Sequence, residues 1–125
     1  MTVKEITLPW PNWVLHSNSR AHWAKVHTEK ACARQMAHMA CLEAPRIERI
    51  PNATIFIEYY PPTKRGDIHN VPSSLKAYID GIADAMGCDD KGFTVDYPRV
   101  WAGSGKPGKV VFRIARPADP RGPLL

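Results

Sequence analysis

The sequence predicts an α+β fold: one domain with a mixed sheet of about four strands and two main helices, in the order β-α-β-α-β-β. Three observations carry this expectation. Short segments of two-residue alternation or dense β-branched and aromatic residues occur at 3–8, 53–60, 94–102 and 109–115. Between them lie two segments with three- and four-residue apolar spacing, at 21–44 and from just after Asn70 to about Met86. Strands and helices that alternate without repeats or linkers pack as one layered domain.

Taken in order, residues 3–8 (VKEITL) alternate polar and apolar and predict a strand ended by Pro9 and Pro11. The irregular stretch that follows closes on Ser17, Asn18 and Ser19, residue types that cap helices. From Ala21 to Ala44 there is neither Gly nor Pro, and Trp23, Val26, Ala33, Met36, Ala37 and Ala40 mark an apolar stripe. On that reading Trp10 and Trp23 belong to the core, and Pro45 stops the helix. In 53–60 (ATIFIEYY), Ile55, Ile57 and Tyr59 share one face of a strand and Phe56 and Tyr60 the other. Asn70 caps the second helix, Pro72 sits in its first turn, and Leu75, Ile79, Ile82 and Met86 form its buried stripe. The turn GSGKPG joins 94–102 to 109–115, which predicts an antiparallel hairpin. The domain is thus expected over 1–117, with a flexible proline-rich tail at 118–125.

Composition narrows the function classes. Of 125 residues, 44% are hydrophobic and 23% charged, which is ordinary for a globular chain and unlike a disordered one. No apolar run approaches the ~20 residues that span a bilayer, and a signal-peptide core is lacking, so the expected location is the cytosol with no membrane partner. Cys32, Cys41 and Cys88 are odd in number and show no C-x-x-C spacing, which argues against a disulfide framework or a zinc site. The net charge of +5 suits a polyanion partner. Its distribution says more: Asp67, Asp80, Asp84, Asp89, Asp90 and Asp96 are six of the twelve acids and lie between residues 67 and 96 of a basic chain. That pattern fits a metal site set into a phosphate-binding surface, and equally a solvated helix face followed by an acidic turn.

Phosphodiester hydrolysis needs hard oxygen ligands for a divalent cation and a positive charge beside the scissile phosphate. Asp67, in a loop that follows a strand, and the Asp89-Asp90 pair past the next helix are the candidate ligands. Lys76 is the candidate cation; its spacing to Asp80 also fits a plain surface ion pair. A helix of about fifteen residues is ~22 Å long, so its two ends reach one cleft only if the neighbouring strands fold them together. Arg20, Lys64, Arg65, Lys106 and Lys109 lie in segments suited to backbone-phosphate contacts.

The stretch TLPWP, the D-x-[DH]-N loop at 67–70, the K-A-x-x-D-G helix at 76–81 and the D-D turn at 89–90 resemble, in the same order, the RusA family of Holliday junction resolvases. The VDY at 95–97 is similar as well, and SNSRAHW resembles phage and prophage members. Together these motifs span about 100 of the 125 residues. The resemblance implies a RusA-like fold and a homodimer that resolves four-way junctions by symmetric nicks, in DNA recombination and repair. It further implies Mg2+ as cofactor, with Mn2+ as an alternative. Carried over by position, Asp67 and Asp90 become the principal metal ligands with Asp89 beside them, and Lys76 the catalytic cation. Two differences stand out. His69 occupies the place of a second aspartate, which leaves it a metal ligand, a phosphate contact or a local cap, and three extra residues separate Asn70 from Lys76. The alternative readings are a catalytically silent protein that binds branched DNA, and a metal-dependent nuclease acting on flaps or other branches.

Overall fold

A computed structural model describes residues 2–11, 22–61, 75–96, 99–100 and 108–117. The fold is α+β, with strands β1 (Thr2–Pro9), β2 (Thr54–Tyr60), β3 (Thr94–Val95), β4 (Arg99–Val100) and β5 (Lys109–Ala115) and helices α1 (Trp23–Leu42) and α2 (Lys76–Met86). The expected caps at Ser17, Asn18, Ser19 and Asn70, the start of the second helix at Pro72 and the tail at 118–125 lie outside the described residues.

The sheet is mixed, in the order β1-β5-β2, with β3 and β4 sharing the outer edge of β2. β5 runs antiparallel to both β1 and β2, whereas β3 and β4 run parallel to β2. The expected hairpin between 94–102 and 109–115 is therefore corrected: β2 lies between those segments. The composition explains the swap. In β5, Val110, Val111, Phe112, Ile114 and Ala115 are all buried, as suits a central strand. The 94–100 segment instead makes two two-residue strands either side of Asp96, Tyr97 and Pro98, and proline confines a strand to an edge.

Alternation places Ile6 and Leu8 of β1, Ile55, Ile57 and Tyr59 of β2, and Val110, Phe112 and Ile114 of β5 on one face, under the helices. Leu75, Ile79, Ile82 and Met86 of α2 close the core as the spacing predicts. The Tyr78 ring meets Phe112 edge-on at 5.9 Å while its hydroxyl donates to the Pro9 carbonyl at 2.8 Å, which ties α2 to both strands. Trp10 is half-buried, 5.8 Å from Tyr59 in an edge-to-face pair. On the other face Arg113 bridges Glu5 of β1 and Glu58 of β2.

α1 begins at His22, whose Nδ1 accepts from the Ala24 N–H at 3.2 Å. Its buried residues are Ala33, Ala37 and Cys41, spaced four apart. Trp23 and Met36, expected in the stripe, are instead exposed. The apolar face of α1 is narrow and made of small side chains, because it lies directly against α2. At the far end, the buried Lys4 ammonium donates to the carbonyls of Glu43 and Pro45, both at 2.8 Å, so groups that α1 leaves open as it ends gain a donor from β1. Among the described residues no helix is long and apolar enough to cross a membrane.

Candidate functional site

Gly81 lets the two helices approach: a methyl there would overlap the Arg34 carbonyl oxygen and lie 2.8 Å from the Ala37 Cβ. With Ala77, Tyr78, Ile79, Ile82, Ala83, Ala85 and Met86 all buried, α2 leaves Lys76, Asp80 and Asp84 as its polar edge. Each of the three has a partner. Arg34 of α1 grips Asp84 through two nitrogens, Nε at 2.5 Å and Nη2 at 2.7 Å, a fork that suits a planar guanidinium. Lys76 lies 3.0 Å from Asp80 one turn along the helix, and it also donates to Asp90.

The contact with Asp90 joins the first residue of α2 to the turn that follows the helix. α2 has eleven residues, about 16 Å at 1.5 Å per residue, and ends at Gly87 in a left-handed conformation (φ 73°). The chain then doubles back through a 3-10 turn, Asp90–Gly92. Asp89 caps this turn by accepting from the Lys91 N–H at 2.9 Å. A side chain on Gly92 would strike the Pro51 carbonyl oxygen, so the turn packs tightly against the loop that precedes β2. From there the chain enters β3, where the Thr94 and Asp96 N–H groups donate to the Ala53 and Ile55 carbonyls at 3.0 and 2.9 Å. The reversal at Gly87 and the 3-10 turn lay Asp90 back alongside α2, within reach of the Lys76 side chain.

The electrostatics agree from both sides. The hydrogen bond to Asp90, and then that to Asp80, raises the Lys76 ammonium above its ordinary value, and the same bond lowers Asp90 below the usual carboxylate range. Both groups therefore stay charged at neutral pH. Asp84 is likewise lowered by Arg34.

Of the expected site residues, Lys76, Asp89 and Asp90 meet around one turn, and Lys109 lies apart on β5 with its ammonium 4.8 Å over the Tyr60 ring. Asp67, His69, Arg20, Lys64, Arg65 and Lys106 lie outside the described residues. Asp89 and Asp90 are not equivalent. Asp89 spends one oxygen on its own turn, while Asp90 faces the lysine. Asp80 belongs to the cluster as well. Its four-residue step from Lys76 was the available signal, and it reads as an ordinary helix pair until the turn at Asp90 is folded beside it. Among the described residues no three His, Cys, Asp or Glu side chains converge as a metal cage. Two neighbouring carboxylates nevertheless suit magnesium, which typically takes one or two from protein and keeps several waters.

No family profile matches the chain. An uncharacterized protein of Xylella fastidiosa (strain Temecula1 / ATCC 700964) is 34% identical to it over 117 residues, covering 90% of this chain and 76% of that protein. The chain belongs to the same family as that protein.

Proposed function

We propose that this protein is a divalent-metal-dependent endodeoxyribonuclease of the RusA type, which resolves four-way DNA junctions as a homodimer in the cytosol. The observation that carries the reading is the meeting of Lys76 with Asp90, two residues fourteen apart that the RusA resemblance had paired in function. A cation and an ionised carboxylate at one exposed turn of a basic protein are the parts that phosphodiester hydrolysis requires.

The chain's own residues have distinct roles in this scheme. Asp90, with Asp89 beside it and Asp67 from the preceding loop, holds the cation. Lys76 keeps Asp90 ionised, and its side chain, three-fifths exposed, would turn from Asp90 toward a scissile phosphate to offset the charge that builds there. Asp80 holds Lys76 from the other side. A bound magnesium supplies the polarisation of the phosphoryl oxygen and of the attacking water. In this reading His69 is a further ligand, a phosphate contact or a local cap.

The test is nicking of a synthetic four-way junction with magnesium, by the wild type and by Asp90→Asn. The expected result is paired cuts by the wild type and a loss of at least a hundredfold in the variant, with junction binding retained. Metal-dependent cutting of flaps but not junctions would favour the alternative nuclease. Binding without any cleavage would favour the silent protein.

A further inference from the structure

α1 is longer than the surface it packs on. Its twenty residues span about 30 Å, nearly twice the length of α2, and its buried residues begin only at Ala33. From Trp23 to Cys32 every side chain is exposed except Val26 and Glu29, which are partly covered. In this half of the helix only Val26 packs against the core. A helix that gains little from tertiary packing is marginal on its own, so a partner that covers it also stabilises it.

The exposed half has a definite character. Trp23, His27, Lys30, Arg34 and His38 recur at steps of four, three, four and four, which places them along one side of the helix. Arg34 is committed to Asp84, but Lys30 has no acidic partner among the described residues. Glu29 is the single acid in α1. Trp23 is 75% exposed, its ring 5.6 Å from that of His22, and it forms one wall of a shallow depression of about 430 Å³ completed by Val26, His27 and Lys30. An exposed indole with an imidazole one turn along and an ammonium two turns along is the arrangement that takes a stacked base and its flanking phosphates. A membrane-binding helix would need a continuous apolar stripe. Here the other exposed large apolar residues of α1, Met36 and Met39, lie on different sides of the helix from Trp23.

We propose that the exposed N-terminal half of α1 binds single-stranded nucleic acid, with an unpaired base stacked on Trp23 and backbone phosphates at Lys30 and His27. In a branched substrate this surface takes the strand that leaves the duplex. The inference rests on the nucleic-acid reading above, yet stacking and phosphate contacts need no divalent metal, so the two separate experimentally.

Binding of a labelled oligothymidylate strand is followed by fluorescence anisotropy in EDTA, for the wild type, Trp23→Ala, Trp23→Phe and Lys30→Ala. Trp23→Ala weakens binding about tenfold, the effect of one lost base stack, and Trp23→Phe restores most of it. Lys30→Ala lowers the log–log salt slope by about 0.7, one single-strand phosphate. Because Trp23 is exposed, circular dichroism of the variants superimposes on that of the wild type. Trp23→Ala binding within twofold of wild type overturns the inference. So does a Trp23→Ala variant that sediments as a monomer where the wild type is a dimer, since the surface would then join two copies of this chain. A wild type that binds the strand through Trp23 in EDTA but cuts no DNA with magnesium keeps this inference and loses the nuclease. Cleavage unaffected by Trp23→Ala, with no strand binding, does the reverse.

Discussion

The Lys76 ammonium lies 3.0 Å from Asp80 and donates to Asp90, so it would compete with a divalent cation for the Asp90 carboxylate. Two consequences oppose each other. Removing the ammonium leaves Asp90 with less competition for a metal, yet it also removes the positive charge available to a developing phosphorane. Lys76→Met should therefore lower the manganese or magnesium concentration needed for half-saturation in calorimetric titration while it slows cleavage by a hundredfold or more. Weaker metal binding in that variant would mean that Lys76 organises Asp90 for the metal. The same scale holds a pH prediction at Arg34–Asp84. In an unfolded chain Asp84 titrates near 3.9, and in the fold Arg34 holds it lower. The pair thus contributes its full stability above about pH 4 and loses it as pH falls through the folded value. Both side chains are partly exposed, so the contribution is about 0.5–1 kcal/mol. Asp84→Asn should lose that amount in urea unfolding at pH 7 and converge on the wild type only as pH falls through the lowered folded value of Asp84.

Between elements, the contact of α1 with α2 decides where Asp84, Asp80 and Lys76 stand relative to the rest. Gly81 is the closest point of that contact. An alanine would gain about 1 kcal/mol of helix propensity, but its methyl would meet the Arg34 backbone oxygen, which no rotamer change relieves. Overpacking of this kind costs about 3 kcal/mol, so the clash wins. Gly81→Ala should lower the urea midpoint without changing the slope; a more stable variant would show that the helices separate freely. The elements differ in how legible they were. The stripes of β2 and α2 were readable because large apolar side chains repeat there at the period of their own element. The stripe of α1 was misread at Trp23 and Met36, since a helix buried by Ala33, Ala37 and Cys41 shows weak contrast between its faces. The place of β5 was missed for another reason. A glycine-rich turn between two strands favours pairing them, and only the open side of β2, along with the apolar character of β5 on both faces, reverses the choice. At the site, the residues were legible as types, but their meeting was not. Lys76 opens the helix and Asp90 follows its end, and only the reversal at Gly87 and the turn after it folds one back toward the other.

For the whole molecule the consequence is that Lys76, Asp80, Asp89 and Asp90 are assembled within one chain. A dimer built on this protomer would carry two complete clusters related by a two-fold axis, which matches the pseudo-two-fold symmetry of a four-way junction. Sedimentation at micromolar concentration should give about twice the 14.0 kDa chain mass. The stronger test uses the independence of the clusters. Wild-type chain mixed and re-equilibrated with a large excess of Asp90→Asn chain would sit mostly in mixed dimers, each with one working site. Such dimers should still hold the junction, because a carboxylate replaced by an amide leaves the cationic surface intact and lessens repulsion of phosphate. Each should cut one strand and stop, so the product shifts from resolved linear duplexes to singly nicked junctions, separable on native and denaturing gels. If the mixture yields resolved duplexes in proportion to the wild-type chain alone, the working unit is a monomer and the symmetric mechanism fails. If it yields no nicks at all, the two sites depend on each other, and a residue of one chain must complete the cluster of the other.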